Sequence, residues 1–179
     1  MNQKQLETLK QNNEDSRFFT RNCIAFGLIT LLKREKMNFR DVTVSKLCEV
    51  AGVSRAAFYR NYRSIDEVLV DRLHEFGKEL TSHMETDVFK NWLWVFKITD
   101  ANRLLFETLI NAGMEHMISN TLIQMVPAEE DNGMIQTIWV SLFCAMIIRW
   151  LTEMKSAPIN EMARLAYKYT KGIPIVVSE

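Results

Sequence analysis

Proline and glycine are scarce in this chain: three prolines and six glycines among 179 residues leave few places where a helix must stop. Strand-like alternation of apolar and polar residues is scarce as well, so the sequence predicts an all-α protein. Cys23, Cys48 and Cys144 are odd in number, far apart and placed on apolar helical faces, which points to buried thiols rather than a disulfide framework or a zinc site. The three histidines, His74, His83 and His116, lack a second ligand at helical spacing, so no metal is expected. No Gly-rich phosphate loop and no recognisable Ser, Cys or Thr nucleophile motif occurs, which argues against an enzyme and against a cofactor. The opening MNQKQLETLKQNNEDS is polar and lacks the apolar stretch of a secretory signal, so the expected location is the cytoplasm. The longest apolar run, Ile138 to Ile148, is interrupted only by Ser141 and spans eleven residues, against roughly 20 for a bilayer-crossing helix. It reads as a helix buried on several sides, and no membrane partner is expected.

What the chain does have is a composition that is 47% apolar, enough to bury a substantial core in one large or two small domains. Its most informative stretch is TVSKLCEVAGVSRAAFYRNY, Thr43 to Tyr62. Val44, Leu47, Cys48 and Ala51 fall at i, i+3, i+4 and i+7, one stripe of a helix, with Thr43 placed to cap it. Gly52 can take a positive φ, Val53 can plug the corner, and Ser54 can cap the next helix. In that second helix Ala57, Phe58 and Tyr62 can point inward, leaving Ser54, Arg55, Ala56, Tyr59, Arg60 and Asn61 on the outer face. The pattern predicts a helix-turn-helix with a basic, aromatic and small-residue reading face.

Those residue types match what a DNA major groove demands. An Arg can donate two hydrogen bonds to guanine, Ala permits close approach and touches thymine methyls, and Tyr reaches a phosphate or a base edge. Arg55, Arg60 and Arg63 occur between Val53 and Arg63 with no acid among them, although the whole chain is formally neutral. The positive field is therefore local. Residues 1 to 80 hold fourteen basic against eleven acidic side chains, and residues 81 to 179 hold eight against eleven, so the first half is the one suited to phosphate.

From Arg17 to about Leu73 the sequence resembles the N-terminal domain of the TetR family of bacterial transcriptional regulators. The resemblance rests on an amphipathic first helix carrying Ile24, Leu28, Leu31 and Leu32, then Phe39, Val42-Thr43-Val44, the string AGVSRAAFYRNY, and a fourth helix opening at Ser64. It implies that Arg55, Ala56 and Tyr59 face bases, and that Thr43, Ser54, Ala57, Arg60 and Asn61 face phosphates. Many members have Gly after the first helix, where this chain has Met37-Asn38, and Lys at the start of the fourth, where it has Ile65. Arg63 is a candidate replacement for that Lys as a phosphate contact.

The second half reads as a larger helical domain. Ser64 to Glu67 resembles a capping box that opens a helix through Val68, Leu69, Leu73 and Phe76. After Thr86-Asp87 comes the aromatic VFKNWLWVFK, and Thr99-Asp100 is a further start signal for a helix with Leu104, Leu105, Phe106, Leu109 and Ile110. Pro127 and the stretch Glu129 to Gly133 break the pattern before a long helix from Ile135 to Met154; Pro158 opens the last helix, with Ile159, Met162, Ala163, Ala166 and Tyr169 on one face, and Gly172 and Pro174 close it. The long helix is apolar nearly all round and so needs a second covering surface, which a homodimer would supply. The resemblance implies the same, with the last two helices as the interface; Trp139, Met146, Trp150, Met162 and Tyr169 are its candidate residues. Trp92, Phe96, Phe106, Met114, Met117, Trp139 and Phe143 are candidate walls of an effector pocket, although apolar residues at helical spacing serve a core equally well.

The sequence therefore predicts an all-α regulator with an N-terminal three-helix helix-turn-helix DNA-binding domain at residues 1 to 63, with an arm at 1 to 15, and a larger C-terminal helical effector-binding and dimerisation domain at 64 to 179. The expected partners are double-stranded operator DNA, a second copy of the chain and a small apolar or amphipathic effector that releases the repressor by population shift. A regulator answering to a partner protein and a helical protein-interaction module are the competing readings.

Overall fold

The computed structural model describes residues 3–125 and 133–173, with side chains from residue 11 onward. The expected breaks at Pro127, at residues 129–132 and at Pro174 lie outside the described residues. Every regular element described is helical: α1 (Gln3–Ile29), a π-helical turn (Thr30–Arg34), a 3-10 turn (Phe39–Asp41), α2 (Val44–Ala51), α3 (Arg55–Asn61), α4 (Ile65–Thr81), α5 (Val88–Ala101), α6 (Arg103–Asn111), α7 (His116–Met125), α8 (Gly133–Thr152) and α9 (Ile159–Thr170). The chain divides into two compact units within α4, the first ending at Leu69 and the second starting at Val70. The buried Val68 and Leu69 fall with the first unit, so the division comes one to two helical turns later than the 63/64 boundary drawn from sequence.

In the first unit Ile24, Ala25 and Leu28 of α1 and Leu31 of the π-helical turn form a buried stripe, and α2 and α3 pack on α1, with Leu47, Phe58 and, just past α3, Tyr62 buried. The approach of α1 to α2 is close enough to require Gly27. A Cβ there would lie 2.8 Å from the Ala51 Cβ and 3.0 Å from the Ala51 Cα. The expected N-terminal arm is instead helix, since α1 begins at Gln3. After the first helix and its π-helical turn, Lys36, just before Met37-Asn38, takes a left-handed conformation at φ 51°. Phe18, Phe19 and Phe26 give α1 a second, exposed aromatic face.

The second unit is built around aromatic side chains. Phe76 meets Phe106 edge-on at 4.8 Å between ring centroids, Phe106 lies 6.4 Å from Phe143, and Phe96 meets Trp150 at 5.2 Å. Asp87 caps α5 by accepting from the N–H groups of Phe89 and Lys90 at 2.9 and 3.1 Å. The expected helix start at Thr99-Asp100 is not one. Both residues lie inside α5, Thr99 fully buried, and the break comes at Asn102, whose Nδ2 donates to the Ile98 carbonyl at 2.9 Å. Helix α9 packs along α5, and its buried face runs Met162, Ala163, Ala166 and Thr170. Pro158 stands just before α9 in extended conformation, one residue earlier than the expected first helical position.

Helix α8 spans 20 residues, in line with the long helix expected there, and by length and composition alone it is long and apolar enough to cross a membrane. Phe143, Cys144, Ile147, Trp150 and Leu151 are buried in the unit, in line with the packing of α8 against α6 and α7. Its opposite side, with Met134, Ile138, Ser141 and Ala145, is exposed in the single chain.

Candidate nucleic-acid interface and apolar cavity

The turn between α2 and α3 is closed by three local devices. Thr43 Oγ1 accepts from the Lys46 N–H at 3.2 Å and Ser54 Oγ from the Ala57 N–H at 3.0 Å, so both helices start on a side-chain cap. Between them Gly52 sits in the left-handed region at φ 66°, and its N–H and that of Val53 return to carbonyls of the last turn of α2. Beyond α3, Ser64 Oγ accepts from the Glu67 N–H at 3.4 Å while the Glu67 carboxylate accepts from the Arg63 N–H at 2.7 Å, which fixes the entry into α4.

These devices determine which way α3 faces. Phe58 and Tyr62 are buried, 5.9 Å apart between ring centroids, and Arg21 of α1 donates through Nε to the Tyr62 hydroxyl at 3.3 Å. Ser54, Arg55, Ala56, Tyr59 and Arg60 are exposed, as are Thr43 and Arg63. Tyr59 keeps 52% of its surface open while its ring rests edge-on against Phe58 at 5.4 Å, so the phenol is oriented yet accessible. Ala57 and Asn61 are half-buried, and Asn61 Nδ2 donates to the Ala57 carbonyl at 2.8 Å. Among the described residues, none of the guanidinium groups of Arg55, Arg60 and Arg63 is in an ion pair. Three unneutralised cations on one short, capped helix and its exit are equipped to bind phosphate and base edges.

Of the residues expected to wall a pocket, the structure brings Trp92, Trp139 and Phe143 to one cavity of about 160 Å³ in the second unit. Phe96 and Phe106 do not line it. They are fully buried behind it, with Phe96 5.9 Å from Trp92 and Phe106 6.4 Å from Phe143 between ring centroids. Met114 and Met117 do not line it either; Met114 is buried and Met117 half-buried. Sequence reasoning missed Gly77, Leu80, Met84, Val95, Leu122, Met125 and Val140, which complete the wall together with Thr81, Val88, Asn91 and Gln136. Nothing in the spacing of these residues separates wall from core, because both need apolar side chains on inward faces.

The expected interface residues also divide. Trp150 and Met162 keep only 2% and 1% of their surface exposed in the single chain, so their side chains are used up by packing inside it. Trp150 donates through Nε1 to the Ala157 carbonyl at 3.1 Å and carries Arg103 over its ring at 4.7 Å. Both residues are therefore corrected from interface to core. Trp139 faces the cavity, Met146 is half-buried, and Tyr169 is 70% exposed, outside the buried face of α9 that was expected to include it.

Burial raises the Cys144 thiol to about 11. The Cys48 thiol is also raised by burial, with the nearby Arg55 charge opposing the shift. Neither is poised as a thiolate nucleophile.

A helix-turn-helix whose second helix is exposed, followed by a larger helical unit, defines the class: an all-helical helix-turn-helix protein. No protein-family model and no curated protein sequence matches the chain. Solved structures do. A TetR-family transcriptional regulator from Streptomyces coelicolor superposes with a TM-score of 0.53 at 13% identity, over 84% of this chain and 81% of that one. Thermus thermophilus FadR, a TetR-family transcriptional repressor in complex with lauroyl-CoA, superposes with a TM-score of 0.52 at 14% identity, over 89% of this chain and 97% of that one. The fold of this chain is that of the TetR-family regulators: an N-terminal helix-turn-helix domain followed by a helical C-terminal domain.

Proposed function

We propose that this chain is a DNA-binding transcriptional regulator, a repressor that works in the cytoplasm as a homodimer on a near-palindromic operator. The observation that carries the reading is the outer face of α3. Arg55, Ala56, Tyr59 and Arg60 are exposed together on a helix held by the Ser54 cap and the left-handed Gly52, with the arginines outside any ion pair among the described residues. In this role Arg55, Ala56 and Tyr59 read bases, while Thr43, Ser54, Arg60, Asn61 and Arg63 hold phosphates and Ala57 faces the DNA backbone beside them without a free donor.

Two-fold pairing places two reading helices one DNA turn apart. The surface available for it is the side of α8 that the single chain leaves open, where Met134 and Ile138 are exposed beside the small residues Ser141 and Ala145. The cavity in the second unit is the effector site of this reading, and the solved neighbour that holds lauroyl-CoA supports a ligand-gated regulator. An effector acts by binding one conformation of the dimer better than the DNA-bound one, which lowers operator affinity.

A mobility-shift assay with the promoter regions of the chain's own gene and its neighbours tests the reading. Sequence-specific retardation that Arg55→Ala weakens is the expected result. Absence of any specific shift on those fragments, with the protein folded and dimeric, overturns it.

A further inference from the structure

The cavity in the second unit has a chemistry of its own. Its broad walls are the Trp92, Trp139 and Phe143 rings together with Val95, Leu122 and Val140, and no Asp, Glu, Lys, Arg or His lines it among the described residues. The polar side chains that do line it are already engaged. Asn91 accepts from the Glu85 N–H at 2.8 Å and donates to the Glu85 carbonyl at 2.6 Å, which uses both ends of its amide. Thr81 donates its hydroxyl to the Gly77 carbonyl at 3.0 Å, and Gln136 has a partner within the protein. Trp92 directs its Nε1–H to Thr170 Oγ1 at 2.8 Å, so its polar edge is satisfied within the protein.

We infer that this cavity takes a compact, uncharged, apolar ligand of about the size of one aromatic ring; the inference deepens the effector role proposed above and rests on it. A buried charge without a partner costs several kcal/mol or more, and the described residues of these walls offer no counter-charge. The cavity volume of about 160 Å³ is close to that of an engineered apolar cavity of about 150 Å³ that stays dry and binds benzene. Met84 and Met125 make the lining adaptable, because an unbranched thioether repacks readily against aromatic rings. Gly77 makes room for one of them, since a Cβ at that position would collide with Met125 Sδ and lie 2.8 Å from its Cε.

Toluene and benzoate share a ring and differ by a carboxylate, so the pair tests the inference on the full-length protein. Toluene is expected to raise the thermal unfolding midpoint, and benzoate to bind about a hundred-fold more weakly or not at all. Iodobenzene, a neutral heavy-atom quencher, is expected to quench part of the tryptophan emission saturably, with toluene competing it off. Val140→Phe should fill the cavity and abolish both effects; if that variant fails to fold, the competition between iodobenzene and toluene in the unaltered protein still decides. Equal binding of benzoate, or a preference for lauroyl-CoA over toluene, overturns the ligand class. Failure of toluene to bind a protein that still shifts operator DNA overturns this inference alone. Toluene binding by a protein with no operator affinity overturns the regulator reading and leaves the ligand class standing.

Discussion

Trp92 and Thr170, 78 residues apart in sequence, are joined by a 2.8 Å hydrogen bond from the indole Nε1 to the threonine Oγ1. The Thr170 hydroxyl donates in turn to the Ala166 carbonyl at 2.8 Å, so the buried group both accepts and donates. The bond ties the end of α9 to α5 at a residue that also lines the cavity. Thr170→Val keeps the shape but leaves the indole N–H unsatisfied, which should cost about 1–3 kcal/mol. Urea unfolding of the full chain measures it, and an unchanged midpoint would mean that water or another acceptor replaces Thr170.

Arg55→Ala and Tyr59→Ala should each weaken operator binding by about 1–3 kcal/mol while helix content stays as it is, because both side chains stand on the exposed face of α3. Arg60→Ala should act differently. Its assigned partner is phosphate, so the loss should be similar on all sequences and should flatten the salt dependence of binding. Titrations at several salt concentrations separate the two kinds of residue, and a salt-independent affinity of the unaltered protein would contradict the electrostatic argument.

Two backbone positions in the first unit should respond in opposite directions. Gly27→Ala sets a methyl against the Ala51 Cβ and backbone, and overpacking of this kind costs about 1–3 kcal/mol. Lys36→Gly relieves a side chain held at φ 51°, and with the extra freedom of glycine in the unfolded chain deducted it should gain about 0.5–1 kcal/mol. Chemical denaturation of both variants checks the signs.

Ala145→Glu should dissociate the proposed dimer and leave the fold intact, since residue 145 is exposed in the single chain. Trp150→Glu should instead unfold it, because Trp150 is enclosed by Phe96, Arg103 and the Ala157 carbonyl. Sedimentation with circular dichroism distinguishes the two outcomes, and a dimeric Ala145→Glu protein would remove this face of α8 from the interface.

Thiol labelling at pH 8 should follow exposure. Cys23, the least buried of the three, should react first, whereas Cys144, raised to about 11 by burial, stays protonated well above that pH and should react only on unfolding. Mass spectrometry of the native protein identifies the labelled residue, and rapid modification of Cys144 would show that α8 opens readily.

The sequence by itself determined the helix-turn-helix, because everything that builds it acts within a few residues: the Thr43 and Ser54 caps, the left-handed Gly52, and the inward spacing of Leu47, Cys48 and Phe58. Local chemistry also placed the start of α5 at Asp87. It failed where a local signal was overruled by packing. Thr99-Asp100 reads as a cap, yet Thr99 is buried in mid-helix and the chain breaks at Asn102 instead. Only the tertiary structure decided that Trp92, Trp139 and Phe143 line a cavity while Phe96, Phe106, Trp150 and Met162 fill the core. Helical periodicity shows that a side chain faces inward, but the hydrophobic effect is non-directional, and whether the inward side meets another ring or an empty space depends on helices distant in sequence.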